Sequence, residues 1–155
     1  MKKLILLPLF VIVFACGSKE NEKAIKGLQP VDVYMNFEKM GYITNKSLLG
    51  DIKSWISTNA LPGGTLRVET NSSDTNTVEF VRATEMVDVT GDIENTRDFF
   101  KTVVSLPFEG SDYKANIKWL NENFNKIEVD TVFNGIKFTL RSPSKMVKTL
   151  ALEKK

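Results

Sequence analysis

The sequence predicts an α+β fold, with helices packed on one face of an antiparallel sheet and two similar helix-helix-hairpin halves. Three observations carry this expectation. Apolar residues recur at helical spacing in several stretches, as at Val33, Phe37 and Met40 or Phe99, Phe100 and Val103. Elsewhere they alternate strictly with polar residues, as over 66–70 and 136–140. Clusters of glycine, proline, asparagine and serine punctuate the runs. A change of period from 3.6 to 2 marks the passage from helix to strand.

The first element starts at Pro30, since proline suits the opening turn of a helix. Val33, Tyr34, Phe37 and Met40 line one face, and Gly41 stops it. Leu48, Leu49, Ile52, Trp55 and Ile56 predict a second helix, closed by Asn59 and by a helix-to-strand turn at Leu61-Pro62-Gly63-Gly64. Leu66, Val68 and Thr70 then alternate with Arg67 and Glu69. After the turn cluster Asn71-Ser72-Ser73-Asp74, Val78, Phe80 and Val81 lead to Ala83, which completes a hairpin.

A second round opens at Asp92, a good helix cap. Ile93, Thr96, Phe99, Phe100 and Val103 cover one helical face, and Leu106-Pro107-Phe108-Glu109-Gly110 breaks it. Ser111 or Asp112 can cap the next helix, which carries Ala115, Ile117, Trp119, Leu120 and Phe124. Ile127, Val129 and Val132 form a strand. Asn134-Gly135 is the strongest short hairpin signal in the chain, and Ile136, Phe138 and Leu140 follow in alternation. Ser142-Pro143-Ser144 turns into a last strand with Val147, Leu150 and Leu152. Lys145, Lys148, Lys154 and Lys155 read as solvated positions of an edge strand, where lysine blocks edge-to-edge pairing.

The two rounds are alike. Asp51-Ile52-Lys53-Ser54-Trp55-Ile56 parallels Asn116-Ile117-Lys118-Trp119-Leu120, and Met40-Gly41-Tyr42 parallels Leu106-Pro107-Phe108. An internal duplication would give halves at 30–87 and 88–155 and would join the two hairpins in one sheet beneath four helices.

The N-terminus carries a different signal. Lys2 and Lys3 precede an apolar run, Leu4 to Ala15, whose 12 residues fall short of the ~20 that a spanning helix needs. The run suits a signal-peptide core. Val13-Phe14-Ala15-Cys16, followed by Gly17, resembles the lipobox of bacterial lipoproteins. The resemblance implies cleavage before Cys16 and acylation of its thiol, with more than one acyl chain needed for stable anchoring. It makes 1–15 a signal peptide and 16–29 a lipidated, polar tether, and leaves 30–155 as a single domain. Gly17 differs from the aspartate of the enteric inner-membrane retention signal, so an outer-membrane destination is favoured in a Gram-negative cell. The polar stretch after the cysteine is loosely similar to the export signal of surface lipoproteins in Bacteroidetes.

Composition narrows the chemistry. The chain has 21 basic and 19 acidic residues, and without Lys2 and Lys3 the two classes balance. A neutral domain lacks the basic footprint that nucleic acid requires. There is no histidine, and Cys16 is the single cysteine. The common zinc and copper ligands are missing, as are the nucleophile systems that need histidine or a free thiol. No cofactor or metal is implied. Asp88, Asp92 and Glu94 lack the spacing of a calcium loop, and Pro62-Gly63-Gly64 lacks the lysine of a phosphate loop.

The large aromatics Trp55, Trp119, Phe99 and Phe100 sit on periodic apolar faces and read as core. Tyr42 and Phe108 lie at breaks beside glycine or proline. With Tyr113 nearby they form the candidate binding surface, because exposed aromatics favour recognition. The sequence therefore predicts a non-enzymatic, lipid-anchored envelope binding protein. It would present its sheet face or these loop aromatics to another envelope protein or a foreign one, as an inhibitor or immunity module does. An envelope hydrolase would need two facing carboxylates, and a structural accessory of an envelope complex is the third reading.

Overall fold

The computed structural model describes residues 21–89 and 96–155. The signal segment, Cys16 and the cap expected at Asp92 with Ile93 and Glu94 lie outside the described residues.

The described chain is α+β. Helix α1 (Pro30–Glu38) precedes strands β1 (Ile43–Leu49), β2 (Ile52–Leu61), β3 (Gly64–Ser72) and β4 (Phe80–Val87). Helices α2 (Thr96–Val104) and α3 (Tyr113–Asn123) precede β5 (Glu128–Phe133), β6 (Ile136–Ser144) and β7 (Val147–Lys154). The seven strands form one antiparallel sheet in the order β1-β2-β3-β4-β7-β6-β5. The two hairpin systems thus join through their last strands, β4 and β7.

Residues directly opposite in an antiparallel pair share a face, so the register defines the core. One row runs Val68, Ala83, Leu150, Leu140, and the next runs Thr70, Val81, Leu152, Phe138. All eight are buried. Val33 and Phe37 of α1, Phe99, Phe100, Val103 and Val104 of α2, and Leu120 of α3 join these strand residues in one hydrophobic cluster. At ~25 cal/mol per Å2 of apolar surface removed from water, this cluster is the main stabilising force.

Local chemistry explains several boundaries. Asp32 accepts a hydrogen bond from the Gln29 backbone N–H at 3.0 Å and so satisfies a donor at the start of α1. The Asp112 carboxylate accepts from the Lys114 and Ala115 backbone N–H groups and caps α3. Asn134-Gly135 turns β5 into β6 with Phe133 opposite Ile136, as the hairpin signal predicts.

Four expectations need correction. The helix expected over Leu48–Ile56 is instead the β1–β2 hairpin, with Leu49 opposite Ile52. Its two-residue turn is Gly50-Asp51, where Gly50 takes φ +61, a left-handed backbone that glycine enters without a Cβ clash. Accordingly Pro62-Gly63 links two strands, β2 and β3, and not a helix to a strand.

Trp55 therefore sits in a strand and Trp119 in a helix, so the two are not equivalent. The described halves are one helix with four strands and two helices with three strands, which is not the helix-helix-hairpin repeat. β7, expected at an edge, lies inside the sheet between β4 and β6. Finally, the segment 16–29 is not tether throughout. Ala24, Ile25 and Leu28 are buried, and the Ile25 N–H donates to the Val78 carbonyl at 2.7 Å.

Candidate functional site

Of the three aromatics singled out in the sequence, the structure leaves one at the surface. Tyr42 is buried, with its ring 5.2 Å from Phe37 and stacked 6.1 Å from Phe99. Burial pushes its hydroxyl pKa up to about 12, because the charged phenolate is desolvated there. Phe108 is buried against Phe138 at 6.0 Å. Tyr113 is exposed at the start of α3 and shares a shallow depression with Phe108, but Tyr42 does not line it. A break in secondary structure is exposed only when nothing covers it; here the neighbouring elements do. The expected aromatic patch does not form. Cys16 lies outside the described residues.

The chemically distinctive place is a cleft of about 760 Å3 at the end of the sheet where β4 finishes and β7 begins. Glu85, Val87, Phe124, Ser142, Pro143 and Lys148 contribute to its walls. Glu85 and Lys148 are direct partners across β4 and β7, continuing the core-facing row that starts at Leu66. Charged side chains at core-facing positions are rare, since burying an ion without a partner is costly.

Each is held by a different neighbour. The Thr96 hydroxyl at the start of α2 donates to Glu85 Oε1 at 2.7 Å, and Glu85 is 9% exposed. Lys148 Nζ donates to the Phe124 carbonyl at 2.9 Å. That carbonyl belongs to the C-cap of α3, where the helix leaves acceptors unpaired and its dipole favours a cation. Lys148 Nζ also lies 3.5 Å from the Phe124 ring centroid, and the Arg97 guanidinium lies 4.7 Å from the same ring. Both are cation–π distances. Burial, with the nearby Arg97 charge, lowers the Lys148 pKa against the opposing pull of Glu85.

A register shift between Arg141 and Ser144 shapes the opposite wall. Such irregularities redirect side chains beside functional sites. Here the Ser142 backbone N–H donates to the Ile127 carbonyl at 2.7 Å, while its hydroxyl is buried without a partner. Lys145, in the β6–β7 turn, also lines the cleft. Sequence reasoning missed this site because it placed Lys145 and Lys148 on an edge. The legible signal was a lysine embedded in the Val147-to-Leu152 run.

The sheet face opposite the core is a second surface. Its rows include Thr58, Arg67, Thr84, Thr149 and Arg141, then Glu69, Arg82, Ala151, Thr139 and Asp130. Ion pairs lie on it along β3 at Arg67–Glu69 and between β5 and β6 at Lys137–Asp130 and Arg141–Glu128. Arg82 lies over Phe80 at 4.9 Å. Among the described residues, no group of acidic side chains could hold a metal ion, and no helix is long and apolar enough to cross a membrane. Comparison with known protein families, with curated proteins and with solved structures finds no match to this chain.

Proposed function

We propose that this chain is a lipid-anchored binding protein of the cell envelope that acts without catalysis, as an inhibitor or immunity module does. The observation that carries this reading is the placement of the only cysteine, Cys16, directly after Ala15 at the end of a short apolar run. Acylated there, Cys16 would hold the protein to a membrane, the outer membrane in a Gram-negative cell. Because Ala24, Ile25 and Leu28 belong to the folded part, the link between anchor and domain is short. Four residues lie between Cys16 and Asn21, a reach of at most ~18 Å.

The binding surface in this reading is the sheet face opposite the core, with α1, α2 and α3 covering the other face. Loop aromatics are no longer candidates, since Tyr42 and Phe108 are buried. The exposed charges of the open face, in crossed ion pairs with interleaved threonines, suit a protein partner recognised by complementarity and not by apolar area. A hydrolase acting through paired carboxylates is disfavoured, because Glu85 is the one carboxylate among the described residues of the main cleft.

Membrane fractionation of wild-type and Cys16→Ser protein tests the anchor. Wild type is expected in the membrane fraction and the variant in the soluble fraction, still folded. Envelope cross-linking followed by mass spectrometry tests the face. Cross-links to a partner are expected from lysines substituted at Thr84 and Thr149, and not from Tyr113→Lys. A Cys16→Ser protein that remained membrane-bound would overturn the anchoring.

A further inference from the structure

We propose that the cleft between the C-terminal end of α3 and the β6–β7 turn binds an organic monoanion, a carboxylate with an apolar body. This does not depend on where the protein resides or on its larger partner.

Lys145 and Lys148 line the cleft, the Arg97 guanidinium lies over the Phe124 ring that forms part of its wall, and among the described residues none of the three is in an ion pair with a carboxylate. On the opposite sheet face Arg67, Lys137 and Arg141 each have an acidic partner, and Arg82 stands opposite Glu69 in the register. Glu85, which accepts a hydrogen bond from the Thr96 hydroxyl, is the one carboxylate in a lining that holds two lysines, so the cleft keeps an excess of positive charge. Lys148 is only partly exposed. A half-buried cation without an ion pair among the described residues gains more from an arriving anion than a fully solvated lysine would.

The Lys148 ammonium has three N–H donors and gives one to the Phe124 carbonyl. The Ser142 hydroxyl, buried and without a partner, stands in the same lining. Buried polar groups are nearly always satisfied, and one that is not calls for an explanation. A carboxylate bridging Lys148 Nζ and Ser142 Oγ would satisfy both, and charge-assisted bonds of this kind are the stronger ones.

Val87, Phe124, Ile127, Pro143 and Val147 supply apolar surface around the polar groups. About 760 Å3 falls in the size range of small-ligand sites, which combine apolar walls with a few polar anchors. The Glu85 carboxylate at the sheet end of the cleft would repel a second negative charge, so a monoanion is favoured over a phosphate dianion.

The test uses the full chain in nonionic detergent and 3-phenylpropanoate as probe, with 3-phenylpropanol, 3-phenylpropylamine and inorganic phosphate beside it. Amide and methyl NMR shifts are followed to about 20 mM, a range that covers millimolar dissociation constants. Saturable shifts are expected from 3-phenylpropanoate at Val87, Phe124 and Val147. The alcohol and the amine should bind at least about tenfold more weakly, the scale of one charge-assisted contact. Lys148→Met should weaken 3-phenylpropanoate to a similar degree, and Ser142→Ala by roughly threefold. If Lys148→Met fails to fold, Lys145→Gln with Ser142→Ala serves in its place. Equal binding of the alcohol, stronger binding of phosphate, or shifts that do not saturate would each overturn the proposal.

Discussion

Glu85 and Lys148 stand directly opposite one another on β4 and β7, yet they do not form an ion pair. Thr96 takes up the carboxylate and the Phe124 carbonyl takes up the ammonium. Neighbouring helices have drawn each charge away from its cross-strand partner. Lys148 is left with a lowered pKa, because burial outweighs the attraction of Glu85.

This arrangement has a pH signature. A lysine whose folded pKa lies below its unfolded value gives up its proton more readily in the native state. Stability from this group therefore rises as pH climbs through the lowered value towards 10.5, and is lost as pH falls through it. Thermal unfolding of wild type and Lys148→Met across this range should show the rise only in wild type. A variant curve parallel to wild type would contradict it.

Tyr42 works with the opposite sign. Its pKa is raised from 10.0 to about 12, so the native state keeps its proton longer than the unfolded chain. Stability from this group is fully present below pH 10 and is lost as pH rises from 10 to 12. Two pKa units correspond to about 2–3 kcal/mol. Tyr42→Phe should flatten that part of the alkaline limb, as followed by circular dichroism. Absorbance titration of the tyrosines should lose its highest step in the variant.

A chain starting at Pro30 should be much less stable than one starting at Asn21. It loses Ile25 and Leu28, which are 1% and 2% exposed. Truncating a buried aliphatic side chain costs about 2–5 kcal/mol, so the pair represents a large share of a typical domain's stability. Gly27→Ala tests the same segment with one atom. Gly27 has φ +77, and an added Cβ would lie 2.9 Å from the Glu109 backbone nitrogen. That nitrogen donates to the Lys26 carbonyl, so the clash falls on the bond that docks the segment. Denaturant midpoints of the three chains decide the point.

Phe138→Ala should cost about 3–5 kcal/mol. Its fully buried ring meets Phe108, Trp119 and Phe133 at 5.4–6.0 Å. Trp119→Ala should cost less, because Trp119 is only partly buried at the margin of the same cluster. Equal losses in urea unfolding would mean that the helix side of the contact is as tightly packed as the sheet side.

Asp112→Ala should remove about 1 kcal/mol, the usual value of a helix cap. It frees two N–H donors, those of Lys114 and Ala115. Asp112→Asn should recover most of the loss, since the amide oxygen can still accept.

Features that depend on near neighbours were readable from the amino-acid order. The start of α1 at Pro30, the Asp112 cap, the Asn134-Gly135 hairpin and the alternation in β3 and β6 each express local chemistry within a few residues. The stretch from Leu48 to Ile56 was not readable in this way. Its apolar spacing fits a helix, but Gly50-Asp51 closes a hairpin and β3 pairs along the whole length of β2. Long-range backbone pairing there overrides a weak local preference. Burial of Tyr42 and Phe108, the interior place of β7 and the core role of Ile25 and Leu28 are of the same kind. So is the charged cleft, whose Glu85, Thr96, Ser142 and Lys148 come from four separate elements and whose Phe124 caps a fifth. No spacing along a chain encodes such a meeting; it exists only once the sheet has joined β4 to β7 and the helices have packed against it.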